Sequence, residues 1–290
     1  MNQAIIKAVI PVAGYGTRLL PVTKSQPKEM LPVVDKPAVQ YVVKEAIDSG
    51  IESVLFVTGR GKRAIEDYFD YAVELELELE NKGKLDLLRE VRDIGNMVNI
   101  FYVRQKVQRG LGDAVYQAKS FINNSSFAVL LADDIIDSDV PVLDQMISLY
   151  RRKPGIILAV TRIPRDEISQ WGVIQGTRIE SGIYQVEDLI EKPDPEEAPS
   201  DLAIIGRYIL TPSIFESIEK VSPGKGGEIQ LTDSMRNLLQ QEKIYAYEFQ
   251  GRYFGVGDKI GFLKANIAFA LKRKDIGEEL KGFLRQIIEE

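Results

Sequence analysis

The chain has 290 residues, with 37 basic and 43 acidic side chains and a net charge of -6. Cysteine and histidine are both absent. That excludes disulfides, thiolate zinc sites, cysteine nucleophiles, imidazole metal ligands and Ser-His-Asp triads. The acidic balance argues against a general nucleic-acid binder. Catalysis must then run on carboxylates, lysine, arginine, hydroxyls, amides, backbone dipoles or a hard cation, for which Mg²⁺ is the natural candidate. The N-terminal stretch lacks a signal-type apolar region with a cleavage site, and no apolar run approaches the ~18 residues of a membrane span. A cytoplasmic protein is expected.

Short β-branched runs at 4–12, 53–58, 99–104, 127–132 and 156–161 read as strands. Segments near 37–49, 61–71, 111–121 and 140–152 have helical spacing. Strands that are apolar throughout and alternate with helices predict a mostly parallel, Rossmann-like α/β sheet covered on both faces. Ligands then sit beyond the carboxyl ends of the strands. The Leu/Glu alternation of 74–80 fits strand period. The helix propensity of Leu and Glu favours a helix running on to about residue 91. A strand-like run at 184–190 precedes a polar, Pro-bearing loop after Pro193, and the tail 259–290 has helical spacing. One domain is expected, with 1–258 as its core and 259–290 as a C-terminal helical extension.

The loop after the first strand reads Val12-Ala13-Gly14-Tyr15-Gly16-Thr17-Arg18. Leu19 stands where the third glycine of a dinucleotide fingerprint belongs, and no GK[ST] of a P-loop occurs. Arg18, Lys24 and Lys28 follow closely, and Pro21 and Pro27 forbid one continuous helix through them. Arginine forks onto phosphate oxygens and lysine offers a mobile point charge. Three cations beside a glycine turn at a strand end suit an anion the size of a triphosphate.

The run AGYGTRLLPVTKSQPKEMLPVVDKP resembles the signature of sugar-nucleotide pyrophosphorylases, in which GxGTR is followed by PKxMLPVxxKP. Glu29 and the stretch Gln40-Tyr41-Val42 are most similar to the bacterial UTP–glucose-1-phosphate uridylyltransferases. RQKVQRGLGDAV, LLADD, EKPDPEEAPSDLAIIGRYIL, GEIQLTD and GVGDKIGF follow in that family's order. The resemblance implies a nucleotide-diphospho-sugar transferase fold, a Mg²⁺ cofactor, UTP and glucose 1-phosphate as substrates, and a homodimer or higher homo-oligomer. It places Arg18 and Lys28 on the triphosphate. Ala13, Gly14, Gly16, Thr17 and Glu29 lie with the nucleotide, and Gln105 and Gly110 with the pyrimidine. Asp133 is implied as the metal ligand, with Asp134 or Asp137 behind it. Glu191, Glu228 and the backbone of Gly172 are implied on the sugar, and Lys192 on its phosphate. On a strand, Glu191 and Lys192 point apart and need not pair. Read without the family, Glu228 is equally a first-turn acid of a helix.

Two positions depart from the family pattern. Gly255 stands where an Asp usually helps hold the metal, with Asp258 three residues on, so a weaker metal site is expected. Asp113 stands where relatives often have His. A thymidylyltransferase, or a weakened paralogue that binds sugar nucleotide, are the competing readings.

Overall fold

The computed structural model describes residues 4–289, except for the side chain of Lys225. In chain order the elements are β1 (Lys7–Pro11), β2 (Pro32–Val33), β3 (Lys36–Pro37), α1 (Ala38–Asp48), β4 (Ser53–Thr58), α2 (Arg63–Tyr68), α3 (Val73–Asn81), α4 (Leu85–Gly95) and β5 (Asn99–Arg104). There follow α5 (Leu111–Tyr116), α6 (Lys119–Ile122), β6 (Phe127–Leu130), β7 (Asp134–Asp137), α7 (Val142–Arg152), β8 (Ile156–Arg162), β9 (Gly172–Glu180) and β10 (Ile183–Glu191). The chain closes with β11 (Leu202–Leu210), α8 (Ser213–Lys220), α9 (Leu231–Arg236), β12 (Ile244–Glu248), β13 (Arg252–Gly255), α10 (Lys259–Leu271) and α11 (Gly277–Glu289).

Nine strands form one sheet in the order β5-β4-β1-β6-β11-β8-β12-β10-β9. Only β10 and β11 run against the rest. The predicted α/β class, with a mostly parallel sheet and C-terminal helices, is therefore what the chain adopts. Strand alternation loads both faces with apolar side chains. On β1, Ala8 and Ile10 join the core under α1 and α7, while Val9 faces the core under α5, α8 and α9. Fully buried side chains such as Val9 and Ile10 each contribute about 1.5–3 kcal/mol.

Several expected boundaries shift. The 74–91 helix is two helices, because the chain turns at Gly83, whose φ of 66° favours glycine. The 111–121 helix likewise divides into α5 and α6. Strand β6 ends at Leu130, before Asp133.

Four later strands were not foreseen. β9, β11 and β12 complete the sheet, and β13 pairs with β7 in a separate ribbon. α10 lies on this ribbon: Ala265 packs with Ile135, Phe254 and Val256.

One ion pair crosses the core. Arg207 of β11 is 0% exposed and grips Glu45 of α1 through two bonds, Nε to Oε1 at 3.0 Å and a terminal nitrogen to Oε2 at 2.7 Å. Glu45 Oε1 also accepts the backbone N–H of Leu143 at the start of α7. The remaining guanidinium hydrogens go to the carbonyls of Leu131, Gly206 and Asp134. Removing one member of such a pair leaves a buried charge alone, at a cost of about 3–5 kcal/mol. Arg207→Met should cost that much in urea unfolding, and adding Glu45→Leu should recover part of the loss. A double variant less stable than the single one would contradict this account.

Candidate active site

A cavity of about 450 Å³ opens at the carboxyl ends of the central strands. Arg18, Asp133, Gly172, Glu191, Lys192 and Glu228 all line it. Sequence-predicted residues from five separate segments thus share one space.

The first wall carries the charges. Lys28 Nζ lies 2.5 Å from Asp133 Oδ2, and Arg18 lies 3.9 Å from the same oxygen. Burial alone would raise the Asp133 carboxyl, but the Lys28 ammonium outweighs it and holds the carboxyl below its ordinary range. Burial likewise opposes the charge on Lys28, and Asp133 overcomes it, so Lys28 stays cationic with a raised pKa. Gly257 closes over this pair. A Cβ there would stand 2.6 Å from Asp133 Oδ2 and 2.8 Å from Arg18, so a larger residue would displace these side-chain ends. The backbone N–H of Val256 donates to the Asp133 carbonyl at 2.8 Å and fixes that approach. Lys24 is exposed and does not line the cavity. Lys28 does not line it either and reaches it through Asp133, so of the three expected cations Arg18 stands on the cavity wall and Lys28 behind it.

Glu29 is 1% exposed and bonds Lys62 Nζ at 2.7 Å. Burial raises its carboxyl against the pull of Lys62. It braces the Lys28–Met30 turn from beneath through that pair. Lys62, itself 6% exposed, carried no signal in the sequence. Gly16 packs against Lys28 and Thr23, and Thr23 Oγ1 donates to its carbonyl. Gly14 and Thr17 lie exposed on the same loop, while Ala13 is buried.

Asp133 and Asp134 differ sharply. Both line the cavity, but Asp134 accepts bonds from the Tyr253 hydroxyl at 2.8 Å and the Gly206 N–H at 2.9 Å. Asp137 pairs instead with Lys272. Gly255 has no carboxylate to add. A Cβ at 255 would fall 2.6 Å from the Tyr253 hydroxyl, which takes up that space. Asp258 caps α10, accepting the Gly261 N–H at 2.9 Å. Among the described residues no group of three or more acidic side chains could cage a metal ion. The donors fit a hard cation held by Asp133 and completed by phosphate oxygens and water, as Mg²⁺ commonly is.

At the second wall, Glu191 Oε2 accepts the Thr232 hydroxyl at 2.7 Å, and Gly172 packs against both. Lys192 was expected to point away from Glu191, yet their charges lie 3.4 Å apart. The strand ends at Glu191, and Lys192 has a φ of 47°, so strand alternation no longer applies. Glu228 precedes α9, which starts at Leu231, so it is not a first-turn acid. Thr232 was missed because an ordinary helix-start hydroxyl gives no signal.

The third region lies where β4 and β5 end beside the first loop. Gln105 is 3% exposed, and its N–H bonds the Thr58 carbonyl. Gln108 bonds the Ala13 carbonyl at 3.4 Å. Gly110 has a φ of 104°, and a Cβ there would stand 2.7 Å from the Ile229 carbonyl. Its contact with Glu228 joins this region to the second wall.

A cavity at the strand ends of a mostly parallel sheet, with Arg18 and the Lys28–Asp133 pair at a glycine loop, fits an enzyme of phosphate-bearing substrates. The chain belongs to the nucleotidyl transferase family, whose profile matches residues 7–272. It is 49% identical over 285 residues to a UTP–glucose-1-phosphate uridylyltransferase of Staphylococcus epidermidis, covering 98% of this chain and 99% of that one. The enzyme of that name from Streptococcus pneumoniae is 50% identical over 293 residues, covering 99% and 97%. Among solved structures, a UDP-glucose pyrophosphorylase complexed with UDP-glucose superposes with a TM-score of 0.86 at 45% identity, covering 93% of this chain and 100% of that one. A UTP-bound relative from Acinetobacter baumannii gives 0.89 at 40% identity, covering 97% and 98%.

Burial, with the neighbouring Asp133 charge, pushes the Asp134 carboxyl from its ordinary 3.8 up to about 6. The folded chain therefore holds this proton more tightly than the unfolded chain. The resulting stability is complete below the unfolded value and is lost as pH rises through about 6. Asp134→Asn cannot charge. In chelator, it should gain about 2 kcal/mol over the wild type between pH 4 and 7. Urea unfolding across that range measures it, and a difference flat with pH would refute it.

Proposed function

We propose that the chain transfers a uridylyl group from UTP to glucose 1-phosphate, yielding UDP-glucose and pyrophosphate. One observation carries the reading: Arg18 and the Lys28-paired Asp133 at one wall of the cavity and Lys192 with Glu191 at another. Two anionic substrates can meet there, and the near full-length relatives carry the name of this reaction.

In this mechanism a phosphate oxygen of the sugar phosphate attacks the α-phosphorus of UTP. The bond to the leaving pyrophosphate breaks. The nucleophile is already anionic at neutral pH, so no general base is required, and neither histidine nor cysteine is missed. Rate comes from alignment and charge neutralisation. Arg18 and Lys28 neutralise the triphosphate. Lys192 orients the incoming phosphate. Glu191, Glu228 and the Gly172 backbone hold sugar hydroxyls, while Gln105 and Gly110 face the base. A divalent cation, Mg²⁺ in this reading, would be held by Asp133 and offset further charge. The described residues act as one domain, with α10 and α11 as its helical extension; Glu290, in the expected 259–290 extension, lies outside the described residues. A cytoplasmic location follows from the nucleotide substrate.

A homo-oligomer belongs to the same proposal, supported by exposed Leu263, Ile267, Phe283 and Ile287 on α10 and α11. Sedimentation of a Leu263→Glu, Ile267→Glu variant should show a smaller species than the wild type.

Purified protein with UTP, glucose 1-phosphate and Mg²⁺ should release pyrophosphate, stop on chelation and recover on adding Mg²⁺. A folded protein that releases none would end the reading. Lys192→Ala should lower kcat/KM by about 100-fold or more, and Lys24→Ala by less than about threefold. Equal small effects would refute the role of Lys192.

A further inference from the structure

Gln105 carries an amide whose two ends have opposite chemistry, and the fold decides which end is free. Its Nε2 lies 2.7 Å from Asp113 Oδ2 and 3.2 Å from the Gly110 carbonyl. Both neighbours are acceptors, so both amide hydrogens are engaged. Turning the amide over would set its oxygen against a carboxylate and a carbonyl. Oε1 has no hydrogen-bond partner among the described residues. No buried side-chain oxygen or nitrogen there lacks one, so Oε1 belongs to the small part of Gln105 that reaches solvent. Gln105 follows β5, beside the loops after β1 and β4.

We propose that Asp113 is a specificity-determining positioning residue: by holding the Gln105 amide nitrogen, it presents only a hydrogen-bond acceptor to the nucleotide base. The inference rests on the reading of Gln105 as the base contact. A lone acceptor welcomes the imide N–H of uracil or thymine. It meets a lone pair at the corresponding ring nitrogen of cytosine, where an unpaired acceptor is costly. Asp113 touches no base itself. It sits half-buried in the first turn of α5, and its carboxylate sets the amide from behind.

The test is a ratio, which is independent of the folded fraction of a preparation. For the wild type, Asp113→Leu and Asp113→Asn, kcat/KM is measured with UTP, dTTP and CTP. Calorimetric affinities supply the same ratios where turnover is slow. In Asp113→Leu the UTP-to-CTP ratio should fall by about tenfold, with the UTP-to-dTTP ratio unmoved because the two bases share the imide edge. Asp113→Asn keeps an acceptor oxygen and should hold near the wild-type ratio. An unchanged UTP-to-CTP ratio in Asp113→Leu overturns the assignment. So does a parallel loss of all three nucleotides, an Asn variant as impaired as the Leu variant, or a wild type that binds UTP and CTP alike. A wild type that prefers UTP to CTP in calorimetry, yet releases no pyrophosphate, ends the proposed reaction and leaves this assignment standing.

Discussion

The buried grip of Arg207 on Glu45 is the constraint from which the site follows. The guanidinium spends its hydrogens on one carboxylate and on three backbone carbonyls, two of which, Leu131 and Asp134, flank Asp133. A loop that leaves a central strand would otherwise need other partners for those carbonyls. Through Glu45 the same network reaches α1 and the start of α7. Sheet, helices and the Asp133 turn are therefore set by one charge that has no access to water. Because a charge buried alone is far more costly than a paired one, the arrangement admits few alternatives.

Around that fixed turn the site is built from paired charges. Asp133 holds Lys28, and Glu29, the next residue along, is held by Lys62 from the loop after β4. Adjacent residues of one short turn thus point to different depths, one toward the cavity and one beneath it. Asp134 follows the same logic with neutral partners, the Tyr253 hydroxyl and a backbone N–H. The loss of an acidic side chain at 255 is tied to that contact, since Tyr253 occupies the volume it would need. In the proposed reaction a divalent cation would find one carboxylate in this wall, that of Asp133.

Much of the site was legible in order but not in depth. The motif run located Arg18, Asp133, Gly172, Glu191, Lys192 and Glu228, which share the cavity. Lys24 and Glu29 looked equivalent to their neighbours in the text of the sequence, and burial separates them. Lys192 was read by strand alternation, but its backbone leaves the strand one residue early. The late strands escaped notice because β11 carries a buried arginine within an apolar run, and β12 is short and rich in tyrosine. Their pairing partners lie far away in the chain.

The sequence by itself determined the alternation of strands and helices, the apolar faces of the sheet, and a chemistry without thiol or imidazole. Those are local properties: periodicity, composition and motif order survive without a third dimension. Only the tertiary structure decided which carboxylate pairs with a cation at the cavity, which is braced beneath it and which caps a helix. It also decided that Asp113 governs the amide of Gln105. Each of these depends on groups brought within a few ångströms by folding, where burial and pairing set both charge and hydrogen-bond direction. No spacing along the chain encodes those distances.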